Sequence, residues 1–183
     1  ITWLVPSAGE KSELAVDIDG EPVELTANDN AATAALVFKT VADPFVGKLS
    51  YFKVMSGKVS ADTPLINMRT GENERITKVL IPKGKKQEEA PYIGAGDIGA
   101  VAKLSGTATG DTLSAPTRKV VLDGIDYPVA NFAKAILPKA KGEEDKVAQA
   151  LAKIAEEDPT VVFETNKETK EIKFKVSTEH ISF

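Results

Sequence analysis

The sequence contains no cysteine and only one histidine, His180. Without cysteine there are no disulfides and no thiolate chemistry, and a metal site built from imidazole and thiolate ligands is excluded. A Ser-His-Asp triad would need its base three residues from the end of the sequence, so we do not expect one. These absences argue against an enzyme that acts alone.

Long apolar runs and nucleotide-binding signatures are also absent. No stretch of about 18 apolar residues occurs and no charged-then-apolar leader opens the chain, so we expect no membrane partner and a cytoplasmic protein. The pattern GxxxxGK(S/T) of a phosphate loop does not occur. The glycines of GAGDIG, at 94–99, match GxGxxG, but a β-patterned run follows where a dinucleotide site needs a helix. We interpret GAGDIG as a turn between strands and expect no cofactor on this chain.

The net charge of −4 is unevenly distributed along the chain. Residues 1–32 contain seven acids and one lysine, whereas residues 33–118 contain twelve basic residues and eight acids. Residues 119–183 are slightly acidic. Because only the middle segment is basic, a nucleic-acid contact, if the protein makes one, belongs there.

Three regions follow from the patterning. Residues 1–32 contain an alternating run that turns at Asp19-Gly20 as a hairpin, followed by a small polar linker. Residues 33–118 are a succession of short β-patterned runs separated by turn residues, which predicts a small closed β-barrel. Residues 119–183 contain extended segments around one strong helical pattern, EEDKVAQALAKIAEEDP, which predicts an α+β domain of the split βαβ type.

The stretch VADPFVGKLSYFKVMSGK, at 41–58, is predicted to form one strand with a turn at each end. Tyr51 and Phe52 are adjacent, and adjacent residues of a strand point to opposite faces. A strand that is apolar on both faces belongs in a closed barrel or a covered sheet. We therefore expect this strand to be scaffold.

The densest basic loop is KGKK, at 83–86. A flexible lysine loop suits contact with a phosphate backbone, which needs charge and reach but no base reading. The alternative is an ordinary solvated loop. The acids of EEDP, at 156–159, could serve acid–base or metal chemistry, although a solvated helix end is the favoured interpretation.

Three stretches resemble segments of translation elongation factor G, in that family's order: ADPFVGKLSYFKVMSG; AGDIGAVAKL followed by TGDTL; and ALAKIAEEDPT. Together they resemble the second and third domains of the family. The earlier LVPSAGE is similar to the family's exit from its GTPase domain. The resemblance spans nearly all of residues 33–165.

The resemblance implies a fold that is mainly β plus α+β. Residues 1–32 would be the linker and hairpin after a GTPase domain, 33–118 a translation-factor-type β-barrel, and 119–183 a ferredoxin-like (split βαβ) domain. The chain would be a central, non-catalytic fragment of a ribosomal translocation GTPase. GTP and magnesium would bind to the GTPase domain outside this chain.

The resemblance also implies partners and a candidate site. The partners would be the ribosome, mainly its small-subunit rRNA and protein, and the GTPase and later domains of the same protein; the fragment itself would be monomeric. The candidate rRNA contacts are basic residues of the predicted barrel: Lys48, Lys53, Arg69, Lys83, Lys85 and Lys86. Two alternatives stay open, namely a paralogue that recycles ribosomes or protects them against an antibiotic, and a stand-alone β-barrel module that binds RNA or protein.

One departure from the family concerns the end of the chain. After ETNKETKE the relatives continue with a strand bearing SGxGExHL and then a helix, whereas this sequence continues with IKFKVSTEHISF. That segment resembles the end of the helix and the last strand of the domain. A strand and a helix are therefore missing near 171–172, through either a gap in the sequence, which we favour, or a true deletion, and we predict an incomplete ferredoxin-like domain.

Overall fold

The fold is known from a computed structural model, which describes residues 4–43, 46–84, 86–138, 140, 142–166 and 172–177. The chain divides into two compact units, Ile1–Ile125 (unit 1) and Asp126–Phe183 (unit 2). Unit 1 consists of strands and one short 3₁₀ helix, and unit 2 contains the one α-helix that the structure describes. The predicted fold class, mainly β plus α+β, is confirmed.

The elements of unit 1 are short and closely spaced along the chain. After a 3₁₀ helix at Ala8–Glu10, its strands are β1 (Ser12–Asp17), β2 (Pro22–Thr26), β3 (Ala34–Asp43), β4 (Gly47–Ser56), β5 (Val59–Ser60), β6 (Pro64–Asn67), β7 (Asn73–Arg75), β8 (Val79–Lys83), β9 (Lys86–Ala90), β10 (Tyr92–Ile93), β11 (Ile98–Ala102), β12 (Thr112–Ser114) and β13 (Val120–Leu122). Each neighbouring pair in its sheets is antiparallel.

Eight of these strands form one sheet, in the order β7-β6-β12-β3-β4-β11-β8-β9. The sheet curls around a buried apolar core that includes Phe52, Val54 and Leu65. Strands β5 and β10 pair with each other and add Val59 and Ile93 to the same core. Within the described residues no ladder joins β7 to β9, so the barrel predicted as closed is a curled, barrel-like sheet with two edges.

Strand β4 is the strand predicted within 41–58. Phe52 lies on the core face and is buried, whereas Tyr51 lies on the other face and is only partly buried. The turn before β4 is fixed by Asp43, whose Oδ1 accepts the N–H of Val46 at 2.9 Å. Pro44 and Phe45, the other residues of that predicted turn, lie outside the described residues.

A second sheet of unit 1 has the order β13-β1-β2. The predicted hairpin at Asp19-Gly20 is confirmed as the β1–β2 connection. Its turn is held by Asp17, whose Oδ1 accepts the N–H groups of Asp19 and Glu21 at 2.9 Å each. Gly20 has φ +84°, a left-handed conformation that favours glycine.

Strand β13 lies in unit 1, although the sequence assigns residues from 119 onward to the second domain. Val121 pairs with Val16 of β1. Val120 and Leu122 are buried in a small apolar cluster that also contains Leu25 and Leu36. Burial of these two side chains stabilises the pairing with β1, so the chain leaves unit 1 only after β13.

Unit 2 has the element order β14 (Phe132–Ile136), α1 (Glu144–Glu157), β15 (Val162–Thr165) and β16 (Ile172–Val176), with the sheet order β14-β16-β15. This is the predicted succession of strand, helix, strand and strand. Helix α1 buries Leu151. Just past its end, the Asp158 Oδ1 accepts the Thr160 N–H at 2.9 Å and the Thr160 hydroxyl at 2.6 Å, so this acid of EEDP fixes the turn.

The segment IKFKV is a strand, as the predicted succession of strand, helix, strand and strand requires. Strand β16 is central in its sheet, because Ile172 pairs with Ile136 on one side and Thr165 on the other. Ile172 and Val176 are buried while Lys173 is exposed, as the two-residue period of a strand requires. The predicted gap involves residue 171, which lies outside the described residues.

Candidate nucleic-acid interface

The β8–β9 hairpin carries the predicted basic loop at its tip. Lys83, the last residue of β8, pairs with Lys86, the first of β9, and both side chains are exposed. The turn between them contains Gly84, with φ +61°. Lys85 lies outside the described residues. The tip thus brings two of the predicted lysines together on one short hairpin.

Acidic side chains compensate Lys78 in the stem and Lys83 at the tip of this hairpin. The Lys78 Nζ lies 2.7 Å from the Glu89 Oε2, and the Lys83 Nζ lies 2.5 Å from the Glu88 Oε2. Both pairs are exposed, and such pairs contribute about 0 to 1 kcal/mol to stability. No salt bridge joins Lys86 to another described residue. Among the described lysines of the hairpin, Lys86 at the tip therefore carries the uncompensated positive charge.

Lys48 and Lys53 both lie on β4 but on opposite faces of it, because they are five residues apart. Lys48 lies beside the β3–β4 turn, which the hairpin approaches through a 3.4 Å hydrogen bond from Gln87 Nε2 to Asp43 Oδ2. The Lys53 Nζ lies 4.0 Å from the Glu13 Oε1. The structure therefore associates Lys48 with the hairpin but does not bring Lys53 to the same surface.

Arg69 forms hydrogen bonds within unit 1. Its Nε donates to Asp111 Oδ1 at 2.6 Å, and its Nη2 donates to Asp111 Oδ2 at 2.9 Å and to the Gly106 carbonyl at 2.8 Å. The same carboxylate accepts Asn67 Nδ2 and the Ala108 N–H, each at 2.8 Å. Although the arginine side chain is partly exposed, its guanidinium is oriented by a buried acid.

Glu74 is a second buried acid beside the same loop. Its carboxylate accepts the Ser105 and Gly106 N–H groups at 3.1 and 2.9 Å, and the Ser105 and Thr107 hydroxyls at 3.3 and 2.7 Å. The Thr107 hydroxyl in turn accepts Asn67 Nδ2 at 3.1 Å. Glu74 and Asp111 thus belong to one network, which fixes the loop at 105–111 against β6 and β7.

The network lowers the pKa of both acids. Burial raises the pKa of Glu74, but the hydrogen bonds from Thr107, Gly106 and Ser105 outweigh it and hold that pKa below its ordinary value. For Asp111, burial is likewise outweighed by Arg69, Ala108 and Asn67, and the pKa is lowered. The bond to Asp111 raises the pKa of Arg69.

These lowered pKa values predict a loss of stability in acid. Glu74 and Asp111 bind protons more weakly in the folded protein than in the unfolded one. Their contribution to the free energy of unfolding is therefore complete above roughly pH 5, and it declines as the pH falls through their lowered pKa values. We expect the opening free energy of unit 1, measured by hydrogen exchange at β12, to fall on acidification. Glu74→Gln should make the opening free energy less dependent on pH. An unchanged pH dependence would contradict a lowered pKa for Glu74.

Sequence analysis did not single out this network or the contact of Lys58 with Tyr92. The Lys58 Nζ lies 5.6 Å from the centre of the exposed Tyr92 ring. Exposed aromatic rings beside cations are common on RNA-binding surfaces. The sequence offered one signal for this network, Asp111 in TGDTL, and sequence analysis used that stretch only for its resemblance to a known family.

Two family models match the chain. Elongation factor G domain 2 matches residues 32–116, and Elongation Factor G domain III matches residues 127–178. The chain belongs to the elongation factor G family. This confirms the resemblance found in the sequence. All six predicted basic residues fall in the range of domain 2, and α1 with β14, β15 and β16 falls in the range of domain III.

A crystal structure from Thermus thermophilus is similar to this elongation factor G chain, with 27% sequence identity and a TM-score of 0.63. The match covers 80% of this chain but only 22% of that one. The chain therefore spans less than a quarter of the protein to which it is similar. No described helix is long and apolar enough to cross a membrane.

Proposed function

We propose that this chain forms the domain 2 and domain III part of a ribosomal translocation GTPase, and that unit 1 binds small-subunit rRNA through the tip of the β8–β9 hairpin. The family supports a translation factor. The observation that carries the rRNA contact is the pairing of Lys83 with Lys86 on an exposed tip, where Lys83 forms an exposed salt bridge to Glu88 and Lys86 forms none to a described residue.

The chemistry of the tip favours a phosphate backbone over specific bases. Two lysine ammonium groups supply charge and reach but no planar, bidentate geometry for reading a base edge. Lys48, beside the turn that the hairpin approaches, extends this basic surface. Arg69 is less suited to rRNA, because two hydrogen bonds to the buried Asp111 already orient its guanidinium.

In this proposal the chain itself catalyses nothing. GTP and its magnesium bind to a GTPase domain outside these residues, and unit 2 relays the state of that domain to the small subunit. Cytoplasmic ribosomes are the partner. The absence of a phosphate-loop sequence and of catalytic histidine or cysteine pairs supports this division of roles.

The test is charge reversal at the tip in the full-length protein. We expect Lys83→Glu with Lys86→Glu to weaken binding to small ribosomal subunits about tenfold at low salt, and to reduce the salt dependence because phosphate contacts are lost. The measurement is a dissociation constant at several salt concentrations. Loss of the exposed Lys83 to Glu88 pair should leave the fold intact.

The matched control is Arg118→Glu with Lys119→Glu, which changes the net charge equally at exposed residues outside the hairpin. We expect this control to change ribosome affinity less than twofold. Equal losses in both variants would mean that only overall charge matters, and an unchanged affinity of the tip variant would remove the hairpin from the interface.

A further inference from the structure

The outer face of the β13-β1-β2 sheet carries an apolar groove of about 550 Å³. Its floor is formed by Leu14, Val16 and Val121, whose exposed fractions are 70, 42 and 38%. Val16 and Val121 are paired residues on neighbouring strands, and Leu14 lies two residues before Val16 on the same face. The three side chains therefore form one continuous apolar surface.

This exposure is unusual for a small antiparallel sheet. The inner face already packs in unit 1 through Ala15, Leu25 and Leu122, so the outer face would ordinarily be polar. Contiguous exposed apolar surface of this kind marks interaction sites. The groove residues have no partner face within the described part of unit 1.

The rim of the groove is acidic. Glu24 pairs with Leu14 across the β1–β2 ladder, and Asp123 lines the groove after β13. Asp19 and Glu21 are exposed at the β1–β2 turn, next to the groove residue Pro22. Arg118 and Lys119, just before β13, are basic and exposed, but the four acids outnumber them. The net charge around the apolar floor is thus negative.

We propose that this groove binds an apolar protein segment that is flanked by lysine or arginine side chains. The apolar floor requires apolar side chains in the occupant, and the acidic rim favours basic ones beside them. The same rim repels phosphate groups, which argues against nucleic acid or an anionic lipid surface as the occupant. The chemistry of this groove differs from that of the basic hairpin tip, and its binding can be measured without ribosomes.

The test uses two synthetic strand-forming peptides of equal length, one alternating lysine with leucine and valine, the other alternating glutamate with the same residues. We expect the basic peptide to shift the methyl NMR signals of Leu14, Val16 and Val121 and to bind at least tenfold more tightly than the acidic one. Raising the salt concentration should narrow this difference, because the rim charges are exposed.

Two pairs of variants separate the contributions of floor and rim. Glu24→Lys with Asp123→Lys should abolish the preference for the basic peptide. Leu14→Ser with Val16→Ser should weaken the binding of both peptides at least tenfold. Glu88→Lys with Glu89→Lys, an equal charge change on the β8–β9 hairpin, should alter the affinity less than twofold. All the altered side chains are exposed, and circular dichroism checks that each variant is folded.

Three results would overturn the proposal. Equal affinity for the two peptides, or no binding of either, would exclude a basic apolar occupant. Concentration-dependent dimerisation in sedimentation, abolished by Leu14→Ser with Val16→Ser, would identify a second copy of the chain as the occupant. Shifts of the same methyl signals by a single-stranded RNA oligomer would show that the rim does not exclude phosphate.

Discussion

Replacing Gly57 by alanine is expected to destabilise unit 1 by about 3 to 4 kcal/mol. Gly57 connects β4 to β5 with φ +71°, and its N–H donates to the Asn28 carbonyl at 2.9 Å. A Cβ at this position would lie 2.6 Å from the Thr33 Cα and 2.8 Å from the Ala31 carbonyl oxygen. Because these contacts are with backbone, a change of rotamer cannot relieve them.

The matched control is Gly71→Ala. Gly71 has a similar φ of +75°, but a Cβ there meets nothing within 4 Å. Its cost is therefore the backbone strain alone, about 1 to 2 kcal/mol. The difference between the two variants isolates the close approach of Gly57 to the chain before β3. Equal destabilisation of the two variants would contradict that account.

Native-state hydrogen exchange is the suitable measurement for both variants. Amides of β3 and β4 report the opening of unit 1 by itself, without assuming that the two units unfold together. A loss of about 3 kcal/mol corresponds to exchange that is about a hundredfold faster. Amides of α1 in unit 2 provide the internal reference.

Replacing Asp111 by alanine is expected to cost unit 1 about 3 kcal/mol. The substitution removes an acceptor that is 4% exposed and binds Arg69, Asn67 and Ala108. The side chain of Asn67 is fully buried, and its Nδ2 would keep only the 3.1 Å bond to the Thr107 hydroxyl. Unpaired buried donors, rather than the lost ion pair with Arg69, account for most of the cost.

Arg69→Ala separates these two contributions. It removes the arginine, whose side chain is 55% exposed, but leaves Asp111 bonded to Asn67 and Ala108. We therefore expect a loss of only about 1 kcal/mol. Hydrogen exchange at Thr112 to Ser114 of β12 measures both variants. If Arg69→Ala is as destabilising as Asp111→Ala, the network depends on the ion pair and our explanation is wrong.

This network also bears on the candidate interface. It holds the loop at 105–111 against β6 and β7, whereas the basic hairpin belongs to the other end of the eight-stranded order. Destabilisation by Asp111→Ala should therefore act on ribosome binding only through the population of folded unit 1. Substitutions of Lys83 and Lys86 should lower ribosome affinity directly, and they should change the stability of unit 1 only by the small contribution of an exposed ion pair.

Local signals in the sequence predicted much of the fold. Asp19-Gly20 has the two-residue form of a tight hairpin, and the structure has that hairpin. The alternation around Phe52 predicted a buried strand, and the stripe around Leu151 predicted the helix of unit 2. Each of these signals depends on residues within a single element, so the sequence of that element is sufficient to predict its structure.

Pairings between distant segments could not be predicted in this way. Val120–Leu122 has the same apolar character whether it joins β1 or starts another domain, and only burial beside Leu25 and Leu36 decides it. Ile172–Val176 is predicted as a strand, but its sequence does not show which strands it pairs with. In the fold it pairs with β14 on one side and β15 on the other, which places it at the centre of its sheet.

The candidate site could also be predicted from the sequence only in part. Composition identified the basic segment, and the KGKK loop gave Lys83 and Lys86, which are neighbours in sequence and remain neighbours at the hairpin tip. Lys53 and Arg69 are equally basic in the sequence. Their acidic neighbours, Glu13 and Asp111, are about 40 residues away along the chain and become visible only after folding.

By itself, the sequence determined the absence of cysteine chemistry, the fold class and the elongation factor G family, because each depends on composition or on contiguous motifs. Tertiary structure decided which charges are compensated, which glycine lacks room for a Cβ, and which apolar face of β1 is left open. These properties depend on contacts between segments far apart in the chain, and such contacts exist only in the folded protein.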